Sequence, residues 1–276
     1  MLIFIVMEQK LIFNKEFVYM LGLIWADGYI SKKTNAITLE TNLIDSQEFL
    51  PVLNENYKFN FYTRERKNRK PQGIINISSK ELSSIMKSAD YLSKSYMSPT
   101  KILSQIPTEL INFFYLGYSD GDGCFYNNNN YNTIQHISTS TYEQDWSFMS
   151  NICDSIGVKY IIKKTINKKN NNQYSQFIIY RHECVIKYGD FLYKNSPFGL
   201  KRKKDKFYNI KNTINSRPKF IIQCFKDSKL IKEFDSLKSA SLWVNKSRNV
   251  SSDINDCIVG RQKTSLGFVW KKIQIN

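Results

Sequence analysis

The chain has 276 residues, 42% of them hydrophobic, and a formal net charge of +16. This excludes a disordered tail and calls for a polyanionic partner. No run reaches the roughly 18 apolar residues of a membrane span. The five cysteines (Cys124, Cys153, Cys184, Cys224, Cys257) are scattered, which excludes a disulfide framework or a zinc module.

The opening stretch, MLIFIV, lacks a basic flank and reads as part of a leader over residues 1–14, with no secretion signal. Next comes EFVYMLGLIWADG, an apolar helix that ends on Asp27 and is expected to stop at Gly28 in the left-handed capping conformation. Gly22 lies four residues before Ala26. That spacing lines one helix face with small residues and lets a second backbone approach. Glycine within a helix costs roughly 0.5–1 kcal/mol, so close packing must offset it. YISKKTNAITLETNL then reads as a hairpin, and DSQEFLPVLNENY as a helix capped at Asp45 or Ser46. KFNFYTRERKNRKPQGIINISS gives two strands around a basic loop, and SKELSSIMKSADYL closes with a helix.

From Ile106-Pro107 the order αββαββα restarts. INFFYLGYSDGDG repeats the first key helix, with Gly117 four residues before Gly121, Asp122 at its end and Gly123 after it. Two strands follow, then a helix over TYEQDWSFMSNICDSIG, a strand pair around the basic loop KKTINKKNNNQ, and a helix over HECVIKYGDFLYKN. KRKKDKFYNI closes this half, and KNTINSRP, Lys211 to Pro218, reads as a linker. The last sixty residues carry a basic excess. They read as a hairpin turning at Asp227-Ser228, a helix over DSLKSASLWVN, a second helix ending at Gly260, and a final strand. The fold class is therefore α+β, with expected domains 1–107, 108–210 and 219–276.

Two acids at helix C-termini sit where the macrodipole disfavours them. If the helices pack through their small faces, both carboxylates emerge together, and two close anions repel unless a cation joins them. Hard oxygen donors suit Mg²⁺. The paired motifs MLGLIWADG and YLGYSDGDG resemble the two signature motifs of the LAGLIDADG homing endonucleases in their single-chain form. The match holds at the glycine, small-residue, Asp and Gly places and departs at Trp25, Tyr118 and Ser119. The resemblance implies two pseudo-symmetric αββαββα halves forming a DNA-binding saddle. It implies a monomeric, intron-encoded, site-specific double-strand endonuclease, and the scattered cysteines suit an intracellular, reducing compartment. Asp27, Asp122 and the carbonyls of Ala26 and Gly121 would hold a divalent cation. Lys101 and Lys201, at similar distances after their acids, would be the catalytic lysines, with Lys94, Lys203 and Lys204 as rivals.

The basic loops supply expected contacts to double-stranded DNA: Arg64, Arg66, Lys67, Arg69 and Lys70 in the first half, and Lys163, Lys164, Lys168 and Lys169 in the second. The string KLIKEFDSLKSA…G…GFVWKK resembles the modular, helix-turn-helix-like DNA-binding repeat of intron-encoded nucleases. Ser247 to Cys257 would then be a recognition helix with Arg248, Asn249, Ser251 and Ser252 facing DNA. Two other readings share this fold: an RNA-binding intron maturase and a catalytically silent DNA-binding regulator.

Overall fold

The first key helix, α1 (Lys15–Asp27), starts where Asn14 Oδ1 accepts the Phe17 N–H at 2.7 Å. Its residues Phe17 to Ala26 are all buried, as expected of a helix apolar on every side. The computed structural model describes residues 13–54, 58–67, 70–128, 133–167, 171–215 and 219–275. Most of the expected leader, and Arg69, Lys168 and Lys169 of the basic loops, lie outside these residues. The contacts divide the chain after Asn212 into two compact units.

In the first unit, α1 leads into β1 (Gly28–Ile30), β2 (Ile37–Asn42), α2 (Leu43–Asn54), β3 (Phe59–Arg64), β4 (Gln72–Ile77), α3 (Lys80–Ser88) and the single turn α4 (Thr100–Leu103). The order recurs as α5 (Ile111–Asp122), β5 (Gly123–Asn128), β6 (Thr133–Thr141), α6 (Ser147–Ser155), β7 (Tyr160–Ile166), β8 (Gln173–Ile179) and α7 (His182–Tyr193), followed by α8 (Lys201–Asn215). The two antiparallel sheets have matching strand orders, β1-β2-β4-β3 and β5-β6-β8-β7. The molecule is thus α+β with two repeated halves.

The seam between the halves is the α1–α5 pair. A Cβ on Gly22 would lie 1.9 Å from the Phe114 carbonyl oxygen, and one on Gly117 2.0 Å from that of Tyr19. Each glycine meets the residue three places before its counterpart, so the contact is reciprocal. A Cβ on Gly121 would lie 2.4 Å from Ala26 Cβ. The small-residue faces therefore do pack backbone to backbone.

Four expectations about local structure need correction. Gly28 (φ −72°) and Gly123 (φ −91°) are extended, because each helix passes directly into a strand. Glycine is needed there for space: a Cβ on Gly28 would meet the Ile24 oxygen at 2.6 Å and Tyr91 Oη at 2.8 Å. Helix α2 is capped by Asn42, whose Oδ1 accepts the Asp45 N–H, and not by Asp45 or Ser46. The expected linker is helix through Asn215, because Lys203, Phe207 and Ile210 continue a buried stripe at helical spacing. Phe207 fills the place of a side chain on Gly189, where a Cβ would lie 2.0 Å from its ring. The fourth correction concerns the second unit.

That unit contains the sheet β10-β9-β11, formed by β9 (Lys219–Lys226), β10 (Lys229–Phe234) and β11 (Val269–Ile275), with helices α9 (Leu237–Val244) and α10 (Ser251–Ile258). The β9–β10 turn falls at Asp227 and Ser228, both at positive φ, which matches the strand twist. Ile222, Cys224, Phe234, Ala240, Val250, Ile254, Cys257 and Trp270 form its own core. Helix α10 starts at Ser251 and not at Ser247. Asn245 Oδ1 accepts the N–H groups of Ser247 and Arg248, which ties that stretch into a turn. Gly260, at φ +78°, ends the helix region as expected.

Candidate active site

The close approach of α1 and α5 brings Asp27 and Asp122 out at one end of the seam. A Cβ on Gly121 would lie 3.2 Å from Asp27 Oδ2, so the Asp27 carboxyl rests against the other helix. Asp27 keeps an exposed side and Asp122 is half-buried. Burial raises the Asp27 pKa, and the charges of Lys203 and Lys94 oppose the rise. Burial and the neighbouring Asp27 charge push Asp122 up to about 7, again against Lys94 and Lys203. Asp122 thus senses the Asp27 charge across the seam.

The lysines beside the acids are Lys94 and Lys203, not Lys101 and Lys201. Lys101 Nζ pairs with Asp90 at 2.7 Å on the surface, and Lys201 pairs with Asp205 one turn along α8. Two residues along a helix turn by about 200°, so Lys201 faces solvent while Lys203 faces the seam. Lys204, the remaining rival, donates to the Ser196 carbonyl.

Each of the two inner lysines closes one key helix. Lys94 Nζ donates to the carbonyls of Ala26 (2.6 Å) and Gly28 (2.9 Å). Lys203 Nζ donates to those of Ser119 (2.8 Å), Asp120 (2.6 Å), Gly121 (3.4 Å) and Gly123 (2.7 Å). Ala26 corresponds to Gly121, and Gly28 to Gly123, so the ammonium groups are equivalents under the duplication. In the first half Tyr91 Oη takes the Ile24 carbonyl at 2.8 Å, the place equivalent to Ser119. A helix leaves its last four carbonyls unpaired, and the dipole places partial negative charge there. A buried cation satisfies both demands. The repulsion that would call for a metal is thus already reduced by two ammonium groups.

Other members of this shell are silent in the sequence. Asp120 is buried; its Oδ2 accepts from Tyr19 Oη at 2.8 Å and from the Leu200 N–H at 3.0 Å. Burial raises its pKa to about 6, against Lys203 and these hydrogen bonds. The corresponding place in the first half is Trp25. His136 Nε2 lies 2.9 Å from Ser119 Oγ, and burial, helped by Lys203, pulls its pKa down to about 3. Asp45 binds Arg202 of α8 through Nε (2.8 and 3.1 Å) and Nη2 (2.5 Å), tying the two halves together. Burial alone would raise the Asp45 pKa, but the Arg202 hydrogen bonds and charge, helped by Asn42, bring it below the ordinary value.

The donor chemistry fits a hard divalent cation: two carboxylates with an open side, and the carbonyl oxygens of Ala26 and Gly121 beside them. Among the described residues no group of three or more His, Cys, Asp or Glu gathers as a metal site. Any ion here would take the rest of its ligands from water or substrate.

The expected DNA contacts divide by location. Strand register places Glu40, Ile74 and Tyr62 in one row and Asn42, Gln72 and Arg64 two residues along, on the same face. Arg64 and Arg66 both pair with Glu40, at 3.2 Å each, and Lys67 is exposed. In the second half the matching row is Thr139, Gln176 and Lys163; Lys164 pairs with Glu143 at 2.8 Å. In the second unit Arg248 and Ser252 are exposed. The other two expected contacts serve the turn and helix start: Asn249 Oδ1 accepts the Ser251 N–H, and Ser251 Oγ donates to the Leu237 carbonyl.

No protein-family model matches the sequence, and no curated protein matches it. Among solved structures, the chain is similar to mesophilic variants of the homing endonuclease I-DmoI (14% identity, TM-score 0.49, 71% of this chain and 97% of that one). It is also similar to the I-LtrWI LAGLIDADG homing endonuclease bound to target DNA (15%, 0.46, 73% and 91%). A third likeness is to full-length DUF199/WhiA from Thermatoga maritima (13%, 0.46, 91% and 73%). At these identities and scores no function is carried across. Among the described residues no helix is long and apolar enough to cross a membrane.

Proposed function

We propose that the chain is a site-specific, metal-dependent double-strand DNA endonuclease, and that Asp27 and Asp122 are its paired catalytic acids. The observation that carries this reading is the emergence of both carboxylates at one end of a glycine-packed helix seam, where a lysine closes each helix end and both lysines act on both acids. Such a pair serves two phosphodiesters with one arrangement of groups. The motif resemblance points to the same chemistry.

Asp27, Asp122 and the carbonyls of Ala26 and Gly121 are the groups that would hold Mg²⁺ or another divalent ion, which when bound polarises a phosphate oxygen and activates water. The chain's own contribution is placement. The seam sets the spacing of the acids, and Lys94 and Lys203 bring positive charge to the places where phosphoryl charge grows. Lys67, Lys163, Arg64 and Arg66 supply backbone and groove contacts along the two sheets, and Arg248 and Ser252 supply more from the second unit, read as a helix-turn-helix-like module. The proposed organisation is two nuclease halves, 1–107 and 108–210, and a DNA-binding module, 219–276, acting as an intracellular monomer encoded within an intron.

The test is cleavage of a plasmid carrying the uninterrupted form of the encoding locus, with Mg²⁺ or EDTA. Specific double-strand cutting that requires the metal supports the reading. Tight specific binding without cutting favours the regulator, and tight binding to the intron RNA favours the maturase.

A further inference from the structure

We propose that Lys94 is a resident counter-ion that competes with a divalent cation for the acid pair and for the carbonyl of Ala26. The inference rests on the proposed function only in taking Asp27 and Asp122 as the metal-binding acids.

Four observations carry it. Lys94 Nζ stands 2.6 Å from the Ala26 carbonyl oxygen, the backbone donor nearest in sequence to Asp27. Its charge acts on Asp27 and on Asp122 alike. Its counterpart Lys203 holds the other helix end and also acts on Asp27, so two ammonium groups offset the charge of the acid pair. Finally, Lys94 lines a cleft of about 230 Å³ together with Ala26, Asp122, Tyr118 and Gln144. That cleft gives the flexible lysine stem a place to move when another cation arrives. Lys203 has no such freedom: it is 7% exposed and holds four carbonyls.

The physical consequence concerns the free protein. An ammonium that already satisfies the carbonyl and neutralises the acids leaves a divalent ion little to gain. Ion binding becomes favourable when a phosphate adds its own charge and oxygens. Lys94 is thus a positioning residue that ties metal loading to the presence of the nucleic acid.

The test uses the full chain and Mn²⁺ alone, with free Mn²⁺ counted by electron paramagnetic resonance. Wild type is expected to bind weakly. Lys94→Met, which removes the charge and frees the carbonyl, is expected to bind about tenfold more tightly. Lys94→Arg, which keeps the charge, is expected to stay near wild type. A lysine with only a structural role would lower affinity or leave it unchanged when removed. Equal or weaker Mn²⁺ binding by Lys94→Met, with thermal unfolding showing the variant folded, overturns the inference. If Asp27→Asn and Asp122→Asn together, added to Lys94→Met, keep the tightened binding, the acids are not the metal site; that overturns both this inference and the nuclease reading. If Asp27→Asn and Asp122→Asn abolish Mn²⁺ binding in the wild-type background while Lys94→Met tightens nothing, this inference alone fails.

Discussion

His136 shows how burial at one residue sets a property of the whole fold. The unfolded chain protonates this histidine near pH 6.5, whereas the folded chain resists protonation down to about pH 3 because the ring is buried and Lys203 is close. Between those values the unfolded state binds the extra proton. The His136 contribution is therefore full above pH ~6.5 and falls as the pH is lowered, by up to about 1.4 kcal/mol per pH unit. Asp120 and Asp122, raised to about 6 and about 7, take up protons in the folded state over the same range and act in the opposite direction. Urea unfolding at pH 7, 6 and 5 checks this. Relative to wild type, His136→Gln should gain stability as the pH falls from 7 to 5, because the difference isolates the histidine, and parallel pH dependences would remove it from the account. Asp45 adds a second residue-scale prediction. Its carboxylate is 1% exposed, and Arg202 binds it from the other half. Arg202→Ala leaves that charge short of a partner and should cost about 1–3 kcal/mol, discounted because Arg202 itself is largely exposed. The double change with Asp45→Asn should recover part of the loss.

At the scale of elements the seam dominates. Gly22→Ala and Gly117→Ala each place a methyl group about 2 Å from a backbone oxygen that belongs to the other helix and cannot move alone. Each should destabilise by about 3 kcal/mol or more. Gly260→Ala is the useful comparison, since a Cβ there has nothing within 4 Å and meets only the strain of φ +78°. Its cost should stay near 1 kcal/mol. Thermal melts that rank Gly260→Ala as the worst of the three would contradict the packing argument. The seam was legible in the sequence because small residues four apart, ending in an acid, leave few alternatives. The repeated αββαββα order was legible as well, from alternation and turn residues. The lysines were less so. Lys101 and Lys201 were matched by their distance from the acids, but a single flanking turn shifts such a count, and only the helix face separates Lys201 from Lys203. Asp120, His136 and Tyr91 carry no local signal, since their partners come from far along the chain or across a sheet. The extended conformations of Gly28 and Gly123 were hidden for a related reason. Sequence shows that glycine is required but not whether torsion or space requires it.

For the whole molecule the governing quantity is the net charge of +16. Affinity for duplex DNA should fall steeply with salt, with a log–log slope of roughly −0.9 per neutralised phosphate. Lys67 and Lys163 are exposed in the two halves. Replacing both with glutamine should flatten the slope by about 2 while leaving sequence preference largely intact. Fluorescence anisotropy across a salt series measures this, and an unchanged slope would take both residues off the DNA track.

The central claim is that one pair of acids, brought together by one helix seam, cuts both strands. The most direct measurement is a time course of supercoiled-plasmid cleavage with Mg²⁺, comparing wild type with Asp27→Asn and Asp122→Asn. The account predicts linear product from wild type, none with EDTA, and at most nicked circles from either variant. Full linearisation by either variant, or no cutting by a wild type that binds its site tightly, would contradict it.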